Sequence, residues 1–224
     1  MCHIFEIDSV QKHYGKRSIL TDVHLKCQTG EVIGLLGRNG SGKSTLLQIM
    51  FGTNDAEKFI RIDGRICEHP YKTPGLIAYL PQHDLIPKYL SVKQAIELYI
   101  PKAARAAFTD DELLRPLYKH SSASLSGGEK RYLEVKLLLH SPAHFVLLDE
   151  PFNGVAPVVV EQIKLLIQNM SLEKGILLSD HDYRNVLAIS TRCLILHQGS
   201  IKQAADKEDL VRWGYLHERP HPSL

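Results

Sequence analysis

The sequence predicts an α/β protein whose mostly parallel sheet is flanked by helices, and three observations indicate this fold. Short apolar segments of strand length recur along the chain, as in "EVIGLLG", "HFVLLD" and "GILLSD". The later segments are separated by stretches of helical periodicity, an alternation typical of parallel strands joined by crossover helices. The amino-terminal segments, among them "IFEI" and "FIRID", are closely spaced. We therefore expect them to pair antiparallel in a small β subdomain.

Length and composition favour one domain that spans residues 1–224. The chain has 224 residues, 44% of them hydrophobic, so it can bury a sizeable core. Its 27 basic and 25 acidic side chains give a net charge of +2, which offers no electrostatic reason to expect a nucleic-acid partner. The four cysteines are scattered and lack CxxC spacing, which is typical of reduced thiols. No signal peptide or run of about 18 apolar residues is visible, so we expect a cytoplasmic protein.

The middle of the chain differs in pattern from the rest. Residues 83–140 contain amphipathic helical stretches such as "SVKQAIELYI", interrupted by Pro87, Pro101 and Pro116, and they include no convincing strand. We expect them to form a short helical lobe inserted in the core. Residues 205–224 are polar and contain prolines, so we expect them to be peripheral.

A glycine-rich segment carries the clearest chemical signal. The segment "GRNGSGKS", residues 37–44, satisfies the phosphate-loop pattern G-x-x-x-x-G-K-[ST] between a strand-like and a helix-like segment. Glycines let the backbone N–H groups turn inward around phosphate oxygens, Lys43 adds a positive charge, and Ser44 offers a hydroxyl to Mg²⁺. An accidental match has a chance of roughly one in a hundred, and the flanking elements lower it further. The predicted nucleotide-binding residues here are Gly37, Arg38, Asn39, Gly40, Ser41, Gly42, Lys43, Ser44 and Thr45.

Two acidic residues follow an apolar strand segment. In "HFVLLDEP", Asp149 and Glu150 come directly after four apolar residues, at the end of a strand where open α/β sheets bind ligands. Asp149 is placed to hold Mg²⁺, and Glu150 to orient or deprotonate an attacking water. Alone, such a pair would more often be a solvated acidic turn, but together with the phosphate loop it predicts a hydrolytic site.

A third motif, "LSGGEKR", places two adjacent glycines at the start of a predicted helix. Ser126 can cap that helix while Glu129 reaches back to the N–H of the cap residue. The order of motifs, "GRNGSGKST", "LPQ", "LSGGE", "LLDEP" and "SDH", resembles that of the ATP-binding cassette (ABC) ATPases. The resemblance covers about residues 4 to 213, and "LSGGE" shortly before the acidic strand is diagnostic of that family. It implies a P-loop NTPase core that binds ATP with Mg²⁺.

The resemblance also implies roles for residues that the motifs alone do not assign. Tyr14, in "KHYGKRSIL", matches the aromatic residue that stacks on adenine, although a lone tyrosine is more often a half-buried strand residue. Gln82, in "YLPQ", matches the glutamine that contacts Mg²⁺ and the lytic water, although without this context it would be part of a plain proline-containing turn. His181, in "LLSDHD", matches the histidine that contacts the γ-phosphate.

Taken together, the implied catalytic residues are Glu150, His181 and Gln82, and the implied Mg²⁺ ligands are Ser44, Gln82 and Asp149. The family implies that Ser126, Gly127 and Gly128 bind the nucleotide held by a second subunit. Because this chain has one copy of each motif, that resemblance predicts a dimer closing on two Mg·ATP, with a homodimer favoured and a heterodimer left open.

The sequence departs from the family pattern in three places. Ala156, in "FNGVAP", stands where the family usually has an aspartate that ties the two active sites together, which puts the rate or coupling of hydrolysis in question. Glu129 stands where glutamine is commoner. The helix after the signature lacks the usual alanine-arginine-alanine segment, so the partner-facing surface is expected to be unusual.

The function implied by the resemblance is that of an ATP-hydrolysing subunit that drives a separate membrane permease from the cytoplasmic face of the membrane. Short stretches look most like the ATPases of lipopolysaccharide export and branched-chain amino-acid uptake, without choosing a substrate. One alternative is an ABC ATPase acting on a macromolecular complex, although such relatives usually carry two cassettes or a long coiled coil. The other is a low-turnover regulatory module, motivated by Ala156.

Overall fold

The computed structural model describes residues 2–204 and 206–216. Its strands are β1 (Ile4–Tyr14), β2 (Arg17–Gln28), β3 (Val32–Leu36), β4 (Glu57–Ile62), β5 (Arg65–Ile66), β6 (Ile77–Leu80), β7 (Phe145–Asp149), β8 (Gly175–Ser179), β9 (Arg192–His197) and β10 (Ser200–Ala204). Its α-helices are α1 (Lys43–Phe51), α2 (Val92–Tyr99), α3 (Ala106–Thr109), α4 (Gly127–His140), α5 (Pro157–Ser171), α6 (Tyr183–Ile189) and α7 (Lys207–Arg212). No helix within the described residues combines the length and apolar character that a membrane crossing requires.

The larger sheet confirms the predicted parallel core. Its strands run in the order β10-β9-β3-β8-β7-β6, and every neighbouring pair is parallel except β9 with β10. Its central strands are buried along their whole length, as continuous apolar runs predict. The carboxyl ends of β3, β7 and β8 therefore meet at one edge, where the phosphate loop, Asp149 and Asp180 follow them.

The smaller sheet confirms the predicted antiparallel β subdomain. Its strands run in the order β2-β1-β4-β5, with antiparallel pairing throughout. The large sheet separates two apolar clusters. Alternate residues of β3 show this, since Val32 belongs to the cluster under the helices and Ile33 to the cluster shared with the small sheet. The small sheet therefore packs over α1, next to the phosphate loop.

The predicted helical lobe contains short helices and one long one. Between residues 83 and 140 the chain forms α2, α3, several 3-10 turns and finally α4, the only element of the lobe with more than ten residues in the described chain. A capping box begins α2, where Ser91 and Gln94 each bond the backbone N–H of the other. Helix α4 lies against the core, with ten of its residues buried. The assignment of residues 83–140 as a lobe of one domain stays a prediction.

The prediction of a peripheral carboxyl-terminal segment is wrong for residues 206–216. Leu210 of α7 is fully buried, and the Tyr215 hydroxyl donates to the backbone carbonyl of His181 over 3.0 Å. Apolar residues spaced through a polar stretch let this segment pack on the large core, which an average over twenty residues conceals. Residues 205 and 217–224 lie outside the described part of the chain.

Candidate functional site

The phosphate loop joins β3 to α1 and leaves the start of that helix open. Gly42 precedes α1 with φ +106°, and a Cβ there would lie 2.8 Å from Ile19 Cγ2, so both backbone and space require glycine. No side chain caps this end of α1. The first N–H groups of a helix lack intrahelical acceptors, so the loop offers them, with the helix dipole, to an anion. This arrangement fits a bound phosphate chain.

Lys43 supplies the positive charge of the loop. It is 7% exposed, and its Nζ donates to the carbonyls of Gly37 over 2.8 Å and Arg38 over 3.4 Å. Burial lowers the pKa of Lys43, while the carboxylates of Glu150 and Asp149 oppose that shift. The ammonium is therefore held in the loop, within the electrostatic field of both carboxylates.

Asp149 ends β7 and is fixed by two neighbouring strands. Its Oδ1 accepts a hydrogen bond from Ser179 Oγ of β8 over 2.6 Å, and its Oδ2 accepts one from the Tyr79 hydroxyl of β6 over 3.2 Å. Burial raises the pKa of Tyr79, and the Asp149 charge raises it further, so Tyr79 stays a neutral donor. Asp149 is 1% exposed, so its carboxylate is held in place beside the site.

Glu150 lies one residue beyond the strand, in a different environment. Its φ of +52° is in the left-handed region that non-glycine residues rarely occupy. Its N–H donates to Ser179 O over 2.7 Å, and its Oε2 accepts from Asn153 Nδ2 over 3.0 Å. The two adjacent acids thus lie in different environments, since Asp149 at the end of β7 is buried and Glu150 lines a cleft. One can bind a cation while the other acts as a base.

Gln82 and Ser44 meet across the site. Gln82 Nε2 donates to Ser44 Oγ over 3.1 Å, although 38 residues separate them in the sequence. The hydroxyl of Ser44, the amide oxygen of Gln82 and the carboxylate of Asp149 are hard oxygen donors. Mg²⁺ favours one or two protein ligands of this kind, completed by water and substrate phosphate. The residues present therefore fit the predicted metal.

One cleft of about 290 Å³ gathers most of the predicted residues. Its lining comprises Tyr14, Ile19, Asn39, Gly40, Gly42, Lys43, Ser44, Thr45, Gln82 and Glu150. Four other residues that sequence reasoning selected, Gly37, Arg38, Ser41 and Asp149, are not among the described residues that line this cleft. Tyr14 lies at its mouth with 52% of its surface exposed, and its hydroxyl accepts from Asn54 Nδ2 over 3.0 Å. Its hydroxyl is thus anchored, and the Lys12 ammonium lies over the ring, 5.0 Å from its centroid.

His181 follows β8, adjacent to the Asp149 strand, and does not line the cleft as the described chain stands. Its Nδ1 lies 3.5 Å from Oδ1 of Asp180, and 53% of its side chain is exposed. Asp180 is fully buried and accepts hydrogen bonds of 3.0 Å from the N–H groups of Phe152 and Asp182. Burial raises the pKa of Asp180, and these donors oppose that shift. Asp180 thus holds the backbone of the loop after Glu150 and also contacts the His181 side chain.

The signature segment forms the predicted capping box at the start of α4. Ser126 Oγ accepts from the Glu129 N–H over 3.3 Å, and Glu129 Oε2 accepts from the Ser126 N–H over 2.8 Å. The Ser126 hydroxyl also donates to Glu129 Oε2 over 2.7 Å, and this bond together with that from the Ser126 N–H holds the pKa of Glu129 below its usual value. Glutamate is therefore a sound replacement for the commoner glutamine in this role.

Neither signature glycine is required by its surroundings in this chain. A Cβ at Gly127 would meet nothing within 4 Å, and one at Gly128 would meet only ordinary contacts of 3.9 Å with Val155 and Ala156. Ser126, Gly127 and Gly128 are also not among the described residues that line the cleft of the phosphate loop. Packing among the described residues therefore does not require glycine at either position.

Ala156 leaves helix α5 without a side-chain cap. It occupies the N-cap position with φ −64° and ψ 145°, and no side chain accepts from the first turn. We predict that Ala156→Asp raises the free energy of unfolding by about 1 kcal/mol, since aspartate is among the best caps. Urea denaturation of both proteins measures this.

Ala156→Ser is the matched control, because serine caps comparably without a charge. Equal stabilisation by both variants would assign the effect to capping, and no stabilisation by either would contradict the prediction. A change in ATP turnover confined to Ala156→Asp would show that the missing carboxylate affects coupling.

Sequence reasoning missed Tyr79, Ser179 and Arg131, whose partners lie far away in the chain. Tyr79 lies one residue before the end of β6 and Ser179 ends β8, so their position near the carboxyl edge of a parallel sheet, on either side of β7, was a usable signal. Arg131 lies within the quoted signature segment, on a helix face that is buried. A charged residue in such a place is a signal for a specific partner.

Comparisons with known proteins agree with this geometry. A family model described as ABC transporter matches residues 20–153, more than half of the chain. The probable ABC transporter ATP-binding protein of Azorhizobium caulinodans is 37% identical over 214 residues, covering 89% of this chain and 76% of that protein. The lipopolysaccharide export system ATP-binding protein LptB of Escherichia coli strain K12 is 36% identical over 208 residues, covering 86% of each.

Solved structures bear on the fold. One described as the structure of an ATP binding subunit of an ABC transporter has a TM-score of 0.79 at 24% identity, covering 95% of this chain and 94% of that one. A nucleotide-free ATP-binding cassette from an ABC transporter has a TM-score of 0.80 at 20% identity, covering 96% of each chain. The two-sheet architecture is therefore a known one.

Proposed function

This chain belongs to the ABC transporter family of ATP-binding proteins, and from that membership we propose how its site works. As an ATPase subunit of a transporter, it binds ATP. We propose that it does so with Mg²⁺ in the cleft of the phosphate loop, dimerises around two nucleotides and drives a separate membrane permease. The observation that carries this proposal is that Lys43 and Glu150 line the same cleft.

Each residue of the cleft has a proposed task. The N–H groups that begin α1 and the Lys43 ammonium bind the phosphate chain, and Tyr14 stacks on adenine. Ser44, Gln82 and Asp149 would hold Mg²⁺, which supplies charge neutralisation on the phosphates.

Hydrolysis is assigned to the residues at the edge of the sheet. Glu150 accepts the proton of the attacking water, and Gln82 orients that water. His181 donates to the γ-phosphate, which requires that its exposed side chain turn toward the cleft. The buried Asp180, which contacts the His181 side chain, holds the point from which that side chain turns.

The signature segment supports a dimer. Neither the backbone conformation nor the packing of the described residues requires glycine at positions 127 and 128, whereas a bare helix start suits a close approach to phosphate. We propose that Ser126, Gly127 and Gly128 bind the nucleotide of a second copy. A homodimer is the simplest assembly, because one chain supplies both halves of each site.

The permease is the partner that the family implies, and the helical lobe is the proposed contact surface at the cytoplasmic face of the membrane. Two large hydrophobic side chains among the described residues of this lobe are exposed, with Tyr89 at 81% and Leu98 at 70%. The names of several relatives make an export permease for an amphipathic glycolipid the first class to test.

Purification of the tagged chain from its own membranes tests this proposal. We expect a multi-span membrane protein to be recovered with the wild-type chain and lost with Leu98→Glu, while basal ATPase activity is unchanged. Leu172→Glu is the matched control, since Leu172 is 82% exposed on the segment after α5, outside the lobe. Recovery with ribosomal particles and without a membrane protein would support the rival function, an ATPase of a macromolecular complex.

A further inference from the structure

Arg131 connects the signature helix to both hydrolytic loops of the same subunit. This residue of α4 is 8% exposed. Its Nη1 donates to Pro81 O over 2.8 Å, and its Nη2 donates to Glu150 O over 3.0 Å and also to Asp149 O. All three acceptors are backbone carbonyls of segments that carry site residues. One guanidinium therefore holds the positions of two loops together.

The Glu150 backbone needs such support. The chain leaves β7 at Asp149, so the next carbonyls lose their places in the sheet ladder, and buried carbonyls require another donor. Glu150 also adopts φ +52°, a strained conformation that persists only where the surroundings enforce it. Its N–H is held by Ser179 O on one side, and its carbonyl by Arg131 on the other. These two contacts fix the direction in which its side chain leaves the backbone.

The second loop is held in the same way. Pro81 directly precedes Gln82, whose side chain contacts Ser44 in the cleft. Glu134, one turn along α4, lies 3.5 Å from Arg131, and its Oε1 accepts from the Leu85 N–H over 2.8 Å. Arg131 and Glu134 thus bind the loop at both ends. Arginine suits this task because its planar fork presents several donors in fixed directions.

We infer that Arg131 is a positioning residue for hydrolysis, which sets the backbones of Glu150 and Gln82 relative to each other and to the bound nucleotide. This inference rests on the proposed roles of those two residues. Arg131 is not among the described residues that line the cleft of the phosphate loop, so we expect its loss to affect the rate of the chemical step more than ATP binding.

The matched control for Arg131→Met is Lys174→Met. Lys174 is 7% exposed, and its Nζ donates to the carbonyls of Ser141 and Ala143. These carbonyls precede β7, at the end of the strand opposite to Glu150. Each variant therefore removes a buried cation from backbone carbonyls beside β7. Only Arg131→Met does so at the end of the strand where the site lies.

We expect Arg131→Met to lower the midpoint of thermal unfolding more than Lys174→Met does, because it also leaves the buried Glu134 carboxylate without its cation. Arg131→Met should lower kcat about 100-fold with KM for ATP within about threefold, since small displacements of positioned groups cost this much. Lys174→Met should keep kcat within about twofold. Arg131→Lys keeps the charge without the fork and should recover part of the lost kcat, which also serves if Arg131→Met does not fold.

Equal kcat in the Arg131→Met and Lys174→Met proteins, or an effect confined to KM, would overturn the inference. Glu150→Gln measured in parallel separates this failure from that of the proposed function. Full turnover in Glu150→Gln counts against the proposed function, whereas lost turnover there with normal turnover in Arg131→Met counts against the inference alone.

Discussion

We expect Glu150→Gln to lower the ATPase kcat about a thousandfold, because an amide cannot accept the proton that a positioned general base removes from the attacking water. ATP binding is retained, since the variant keeps the phosphate loop, Lys43 and Tyr14. The side chain also keeps its size and an oxygen that can accept from Asn153, so the fold is preserved. Steady-state turnover and nucleotide titration of the purified protein measure both parts.

Glu161→Gln is the control for the loss of a carboxylate at the surface. Glu161 lies on α5 with 65% of its side chain exposed and pairs with Lys164. It should keep normal turnover. If Glu150→Gln also hydrolyses ATP at the wild-type rate, Glu150 is not the base, and the assignment of the hydrolytic residues must change.

Lys136→Met is expected to cost about 3–5 kcal/mol of unfolding free energy, because it leaves a buried carboxylate without its cation. Lys136 and Asp111 form an ion pair in which each side chain is only 6% exposed. Asp111 also accepts from the Tyr132 hydroxyl over 2.7 Å and from the N–H groups of Leu113 and Leu114, each over 2.9 Å. The pair anchors the irregular part of the lobe to α4.

The pH dependence gives this prediction a second readout. Burial by itself would raise the pKa of Asp111, but its hydrogen bonds from Lys136 and Tyr132 outweigh burial and hold it below the usual value. A carboxyl whose pKa is lowered by folding stabilises the protein above its unfolded pKa, and that contribution disappears as the pH falls through the folded pKa. The gap in stability between wild type and Lys136→Met should therefore narrow in acid.

Lys164→Met is the control for this variant, since its partner Glu161 is exposed and such pairs contribute about 0–1 kcal/mol. Urea denaturation at neutral and acidic pH compares the three proteins. A loss for Lys136→Met no larger than that for Lys164→Met would contradict the account of the lobe.

The parallel core could be predicted from the sequence, whereas part of the antiparallel sheet could not. Strands such as β7 and β8 are continuous apolar runs, which are typical of parallel strands buried on both faces of a sheet. Strand β2, the longest in the described chain, was missed because only alternate residues are buried. Its period of two, as in Val23, Leu25 and Cys27, was the available signal.

The residues of the site also divide into those that the sequence predicts and those whose role only the fold reveals. Lys43, Ser44, Asp149 and Glu150 could be selected because each motif is contiguous and its chemistry follows from local order. Arg131 could be marked only as a charged residue on a buried helix face, because its role depends on carbonyls about twenty and fifty residues away that only the fold brings near. Pairings of side chain with distant backbone leave no periodic trace in a sequence.

The mass of Glu150→Gln in solution, measured by light scattering with and without Mg·ATP, tests the central claim that two chains share each nucleotide. We predict 25.3 kDa without nucleotide and twice that mass with it. Adding Gly127→Leu to the same protein should abolish the dimer without unfolding the subunit, since a Cβ at 127 meets no atom of the described residues within 4 Å. A protein that binds ATP yet stays at 25.3 kDa, or a dimer unaffected by Gly127→Leu, would contradict this claim.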